Sequence, residues 1–160
     1  MIKKNTLLLL AAVGLLIGMN GCKQEEWIDW KVLNEAWLEQ NAKQDGVVVT
    51  HSGLQYKVIR QGIATAGPKP DDLKTVVVSY EGRLINSMVF DQNESTALQM
   101  SNLISGMQEG LKKMNLTGHY IFYIPYDLGY KEDGSGTEGY SNFIPPYSTL
   151  IFDVTLEQCY

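Results

Sequence analysis

The sequence predicts an α+β fold, in which a twisted antiparallel β-sheet wraps around one short α-helix behind an N-terminal amphipathic helix. Four segments have the residue pattern of strands, in most of them an alternation of apolar and polar side chains: residues 54–58, 75–84, 120–124 and 150–156. One segment between the second and third strands instead spaces its apolar residues by three and four: Ile104, Met107, Leu111 and Met114. That spacing places all of them on one face of a helix, which the sheet can cover.

The chain begins with a pattern typical of an export signal. Two lysines precede an apolar run over residues 7–19, which is too short for a comfortable transmembrane helix. A cysteine directly after Gly21 resembles the cleavage and lipidation box of bacterial lipoproteins, although Met19 stands where that box usually has Leu. We therefore expect residues 1–21 to be removed and Cys22 to carry acyl chains that anchor the protein to a membrane. A plain signal peptide or an uncleaved anchor is the alternative.

This start predicts a location in the bacterial cell envelope. The lipid would make the membrane a partner, with the outer membrane favoured and the face of the membrane left open. Residues 22–49 are interpreted as the anchored helix with its linker, and residues 50–160 as the folded domain.

Charge and cysteine content exclude several classes of function. The 160 residues carry a formal net charge of -5 without a cluster of Lys and Arg, which argues against nucleic acid as a partner. The two cysteines, Cys22 and Cys159, give no disulfide framework if the first is acylated. Neither His51 nor His119 has a second ligand at metal-binding spacing, and no Gly-x-Ser-x-Gly elbow occurs. Any catalysis is therefore expected to proceed without a cofactor, a metal or a nucleophile.

A helix rich in tryptophan is predicted over residues 26–42, because Trp27, Trp30 and Trp37 recur at helical spacing among acidic residues. It is expected to end before Gly46, which can adopt a left-handed cap. Packing on its own domain or on a second copy is favoured over a ligand groove. A membrane surface is less favoured, since interfacial helices carry Lys and Arg on their polar face.

Four blocks carry a family resemblance: VVVSYEGRLINSMVFD at residues 76–91, LISGMQEGL at 103–111, YIPYDLGY at 123–130 and IPPYSTLIFDVTL at 144–156. In order, spacing and residue type they resemble the FK506-binding-protein (FKBP) family of peptidyl-prolyl cis-trans isomerases. The resemblance runs from about residue 52 to residue 157. It implies the FKBP fold and an isomerase that assists the folding of exported, proline-containing polypeptides.

The resemblance also implies which residues form the site. The walls of the proline pocket would be Tyr80, Phe90, Leu103, Ile104, Met107, Ile144 and Phe152. The Tyr130 hydroxyl would bond a ligand carbonyl, the Asp91 carboxylate would lie at the mouth beside the Tyr80 hydroxyl, and the Ile104 N–H would be a second donor. Rotation about an X-Pro bond breaks no covalent bond, so apolar walls can suffice.

Several positions depart from the family pattern, and two of them bear most on the pocket. Met107 stands where the pocket floor usually has tryptophan, and Lys131 stands where the family has Gly after its tyrosine. The residues 131–140 are interpreted as a flap over the pocket. These departures imply reduced activity and weakened binding of FK506-type macrolides. The alternative function is a proline-peptide binding or chaperone module with little turnover.

Overall fold

A computed structural model describes the backbone of residues 21–160 and the side chains of residues 27–160. The apolar run of the predicted signal and the Cys22 side chain lie outside this description, so the lipidation of Cys22 stays a prediction. Among the described residues, no helix combines the length and apolarity needed to cross a bilayer.

The predicted α+β class, an antiparallel sheet with one short helix, is confirmed. The six strands are β1 (Val47–Val49), β2 (Gln55–Arg60), β3 (Thr75–Arg83), β4 (Val89–Gln99), β5 (His119–Ile124) and β6 (Leu150–Cys159). They form one antiparallel sheet in the order β1-β2-β5-β6-β3-β4. The helices are α1 (Gly21–Asn41) and α2 (Ser105–Lys113), and short 3-10 turns cover Met100–Asn102 and Tyr126–Leu128.

The inner face of the sheet follows the predicted alternation. In β5 and β6 the buried side chains include Tyr120, Phe122, Ile124, Leu150, Phe152, Val154 and Leu156. The chain turns between β3 and β4 at Asn86 and Ser87, as predicted, and the Leu84 N–H closes the hairpin on the Met88 carbonyl at 3.0 Å. Strand β2 departs from the pattern, because Val58 is exposed and Gln55 is buried.

Helix α2 lies close against β5 because two of its residues have no side chain. A Cβ added at Gly110 would lie 2.8 Å from the Phe122 ring, and one added at Gly106 would overlap the Ile124 side chain. Met107 and Leu111 are buried on the same side of the helix. The predicted apolar face of α2 is therefore confirmed, and the glycines hold the helix at a fixed distance from the sheet.

Helix α1 packs on its own domain, one of the arrangements that the sequence left open. Asn34 is only 1% exposed, and its side-chain oxygen accepts a hydrogen bond of 2.7 Å from the Thr149 N–H. At the end of the helix, the Asn41 side chain donates to the Gln55 side chain at 2.8 Å, which explains why Gln55 is buried. Both contacts join a residue before position 50 to a residue after it, and the sequence places the domain boundary at that position. That boundary stays a prediction.

Candidate active site

Three aromatic rings from three strands form an apolar wall on the inner face of the sheet. The ring centroids of Phe90 and Phe152 lie 5.5 Å apart at an interplanar angle of 84°, and those of Tyr80 and Phe152 lie 6.0 Å apart. Gly82 of β3 leaves room for this arrangement, since an added Cβ would lie 2.7 Å from the Phe90 ring and 2.8 Å from the Phe152 ring. The edge-to-face geometry is the one that aromatic quadrupoles favour.

Polar groups stand at the edge of this wall. The Tyr80 hydroxyl donates a hydrogen bond of 2.7 Å to the Asp91 carboxylate. The pKa of Tyr80 lies well above its ordinary value. Burial is the main cause, and the hydrogen bond to Asp91 is the second. Burial also raises the pKa of Tyr130, and the negative charge of Asp91 adds to the effect. Both phenols therefore stay protonated near neutral pH and can act as hydrogen-bond donors.

Apolar residues at the N-terminus of α2 belong to the same packed cluster as the aromatic wall. Leu103 and Ile104 are half-buried and Met107 is 4% exposed. Ile104 is the residue before the helix, so its N–H has no acceptor within the helix and can serve a ligand. The Gln108 side chain donates to the Leu103 carbonyl at 2.7 Å, which holds the backbone at this point.

The last wall residue is tied to the loop that the sequence analysis interprets as a flap. Ile144 is 3% exposed, and its backbone pairs with Ser135 through two hydrogen bonds of 2.9 Å and 2.8 Å. Gly134 precedes this bridge with φ +66°, and an added Cβ would lie 2.9 Å from the Pro145 carbonyl carbon. Only glycine is compatible with that position.

The family model described as FKBP-type peptidyl-prolyl cis-trans isomerase matches residues 67–157, more than half of the chain. The chain belongs to the FKBP family. A second family model, the domain amino terminal to FKBP-type peptidyl-prolyl isomerase, matches residues 12–58 and so covers all of α1 and β1 and the first part of β2.

Named relatives agree with this assignment. The chain is 42% identical over 130 residues to the probable FKBP-type peptidyl-prolyl cis-trans isomerase FkpA of Neisseria meningitidis, which covers 79% of this chain and 45% of the relative. It is 37% identical over 130 residues to the outer membrane protein MIP of Legionella longbeachae, covering 79% of this chain and 52% of the relative. The crystal structure of FkpA from Escherichia coli superposes with a TM-score of 0.74 at 35% identity, covering 85% of this chain and 63% of that one. The chain thus spans about half the length of the curated relatives it matches.

One residue of this FKBP pocket is absent from the set that the resemblance supplied. Gly82 shapes the contact between the Phe90 and Phe152 rings, although it carries no side chain. A signal for it exists in the sequence, because an isolated glycine inside a strand marks a place where another group approaches closely.

A second depression, of about 510 Å³, lies on the outer face of the sheet and does not suit proline. Its lining includes Glu81, Asp153 and Thr155. Glu81 and Asp153 are direct partners across β3 and β6, and the His119 ring bonds the Asp153 carboxylate at 2.6 Å. Charged and hydroxyl groups keep a substrate amide hydrated, so the inner, aromatic site is the one that fits the FKBP chemistry.

Proposed function

We propose that the protein is a peptidyl-prolyl cis-trans isomerase that assists the folding of proline-containing polypeptides in the bacterial envelope. The observation that carries the proposal is the aromatic wall of Tyr80, Phe90 and Phe152, with the Asp91 carboxylate and the Tyr130 hydroxyl at its edge. The site residues proposed for the reaction are these five together with Leu103, Ile104, Met107 and Ile144.

The chemistry follows from the nature of the peptide bond. Rotation about X-Pro is slow because the amide loses resonance as it twists, with a barrier of about 18 to 20 kcal/mol. A twisted amide is less dipolar than a planar one, so a pocket that strips water from the carbonyl favours the twisted form. The Tyr130 hydroxyl and the Ile104 N–H would orient the substrate carbonyls, while the rings hold the proline.

Removal of the orienting groups tests this function. We expect Tyr130→Phe and Asp91→Ala to lower kcat/KM for a proline-containing tetrapeptide several-fold, because one hydrogen bond contributes about 0.5 to 1.5 kcal/mol. Both side chains reach solvent at the rim, with Tyr130 37% exposed, so the melting temperature is expected to stay within about 2 °C of the wild type.

Asp91→Asn is the matched control, because it keeps an oxygen that can accept the Tyr80 hydroxyl and removes only the charge. It should retain more turnover than Asp91→Ala. Unchanged turnover in both Tyr130→Phe and Asp91→Ala would move catalysis away from this pocket. A wild-type protein that binds the peptide without turnover would favour the alternative, a proline-peptide binding or chaperone module.

We further propose that FK506-type macrolides bind this pocket weakly. Met107 would offer such a ligand a thioether instead of a flat aromatic floor. The affinity is therefore expected to lie below that of family members with tryptophan at this position.

We also propose that the protein is anchored in the envelope through lipid on Cys22. The support comes from the signal-like residues 1–21 and from the name of one relative, the outer membrane protein MIP. Acylation depends on the thiol, so Cys22→Ser is expected to abolish the added lipid mass and leave the precursor unprocessed. The measurement is mass spectrometry of the detergent fraction. Wild-type protein that stays in a detergent-free soluble fraction without added mass would contradict the anchor.

A further inference from the structure

We propose that Lys31 of α1 is a positioning residue for Tyr130, acting through two tyrosines whose backbones hold the neighbouring residue, Lys131. This inference rests on the proposed isomerase function, because it assigns a helix outside the pocket to the geometry of a group at the pocket edge.

The Lys31 ammonium lies over two aromatic rings of the loop region. Its Nζ is 5.5 Å from the ring centroid of Tyr126 and 5.3 Å from that of Tyr147. The two rings also contact each other edge to face, with centroids 5.3 Å apart. Both distances from Nζ to a ring centroid lie within the range of a cation–π contact. Lys31 also forms an ion pair with Glu35 at 3.8 Å, but both side chains are solvent-accessible, so this pair contributes little.

The backbones of these two tyrosines hold the residue next to Tyr130. The Lys131 N–H donates to the Tyr126 carbonyl at 2.8 Å, and the Tyr147 N–H donates to the Lys131 carbonyl at 3.0 Å. Tyr126 and Tyr147 therefore bracket Lys131 from both sides, and Tyr130 precedes it directly in the chain. A displacement of either tyrosine ring would be transmitted to the turn that carries the Tyr130 hydroxyl.

This turn needs support because its backbone is strained. Lys131 has φ 60° and Tyr147 has φ 61°, in the left-handed region that side chains with a Cβ rarely adopt. Such conformations persist when the surrounding structure determines them. The Lys31 contact joins these two strained residues through the Tyr126 and Tyr147 rings, so it acts at the place where support is required.

The helix itself is held in place without Lys31. The Trp30 ring N–H donates to the Ser148 hydroxyl at 2.9 Å, and the Asn34 side chain accepts from the Thr149 N–H at 2.7 Å. We call the contact of the Lys31 ammonium with the Tyr126 and Tyr147 rings the brace. A change at Lys31 therefore removes the brace and leaves α1 docked, so the effect of the brace can be measured.

The test measures amide hydrogen exchange and peptide turnover in the full chain. In Lys31→Met we expect faster exchange at the Lys131 and Tyr147 amides and a fall in kcat/KM of about two- to five-fold, the range of a weak cation–π contact. Lys31→Arg should restore both, because guanidinium also packs on aromatic faces. Lys113→Met is the matched control: its ammonium lies 5.8 Å from the Tyr56 ring, away from this loop, and neither readout should change.

A double mutant decides whether the effect passes through Tyr130. Adding Lys31→Met to Tyr130→Phe should speed exchange as before and lower kcat/KM no further. Unchanged exchange at Lys131 and Tyr147 in Lys31→Met would overturn the brace. Faster exchange with unchanged turnover, or a further loss of turnover beyond Tyr130→Phe, would overturn the positioning role. A wild type without turnover would overturn the proposed function, whereas the exchange data would still decide the brace.

Discussion

Phe152→Ala is expected to lower the free energy of unfolding by about 3 to 5 kcal/mol, the range for a large aromatic side chain lost from a core. Phe152 is 6% exposed and lies on the central strand β6. Its neighbours are Phe122 on β5 and Gly82 on β3 in register, with the Phe90 ring edge-on to it. These groups belong to separate strands and cannot collapse into the space, so a cavity remains.

Urea denaturation followed by circular dichroism measures this loss. The matched control is Phe152→Leu, which keeps most of the apolar volume and is expected to lose less than half as much stability. Turnover should fall in both variants, because Phe152 is also a proposed wall of the proline site. A loss below 1 kcal/mol in Phe152→Ala would contradict the packing described for the core.

Four of the six strands and the pocket helix were predictable, because burial on one face leaves a periodic pattern in the sequence, whereas β1 and β4 were not predicted. In β6 the alternation of Leu150, Phe152, Val154 and Leu156 reports the inner face directly. The spacing of Met107 and Leu111 does the same for α2. Strand β2 did not follow the rule, because the polar side chain of Gln55 is buried by bonds to α1 that no local pattern encodes.

The contacts of α1 could not be predicted from periodicity either, because they join residues far apart in the sequence. The bond between Asn34 and Thr149 joins residues 115 positions apart, and the bond between Trp30 and Ser148 joins residues 118 apart. In the sequence, nothing distinguishes Asn34 from the other polar residues of a solvated helix. Its role depends on which backbone N–H the fold brings opposite it.

The candidate site also has a part that was predictable from the sequence and a part that was not. The resemblance supplied the wall and rim residues, and the structure brings Tyr80, Phe90, Asp91 and Phe152 together, with Tyr130 near enough for the charge of Asp91 to raise its pKa. The resemblance gave no conformation for Lys131, which replaces a family glycine. The structure shows that Lys131 keeps a left-handed backbone, the conformation for which glycine is favoured.

The departure at the pocket floor leads to the second prediction, which concerns Met107. In Met107→Trp we expect kcat/KM for the peptide to rise by about two- to tenfold, because an aromatic face in contact with a ring adds about 0.5 to 1.5 kcal/mol. A thioether chain must lose rotamer freedom to present less area to the proline. The affinity for FK506 should rise in parallel.

Space is what opposes this gain. Met107 is 4% exposed, and α2 cannot retreat toward the sheet because Gly106 and Gly110 already bring it against Ile124 and Phe122. The extra ring is therefore expected to lower stability by about 1 to 3 kcal/mol, so the melting temperature is measured beside turnover. Met107→Leu, which has similar volume and no ring, is the matched control and should leave turnover within about twofold of the wild type. Equal or lower activity in a stably folded Met107→Trp would show that the floor residue does not limit turnover. The binding-module alternative would then explain the methionine better than a slow isomerase does.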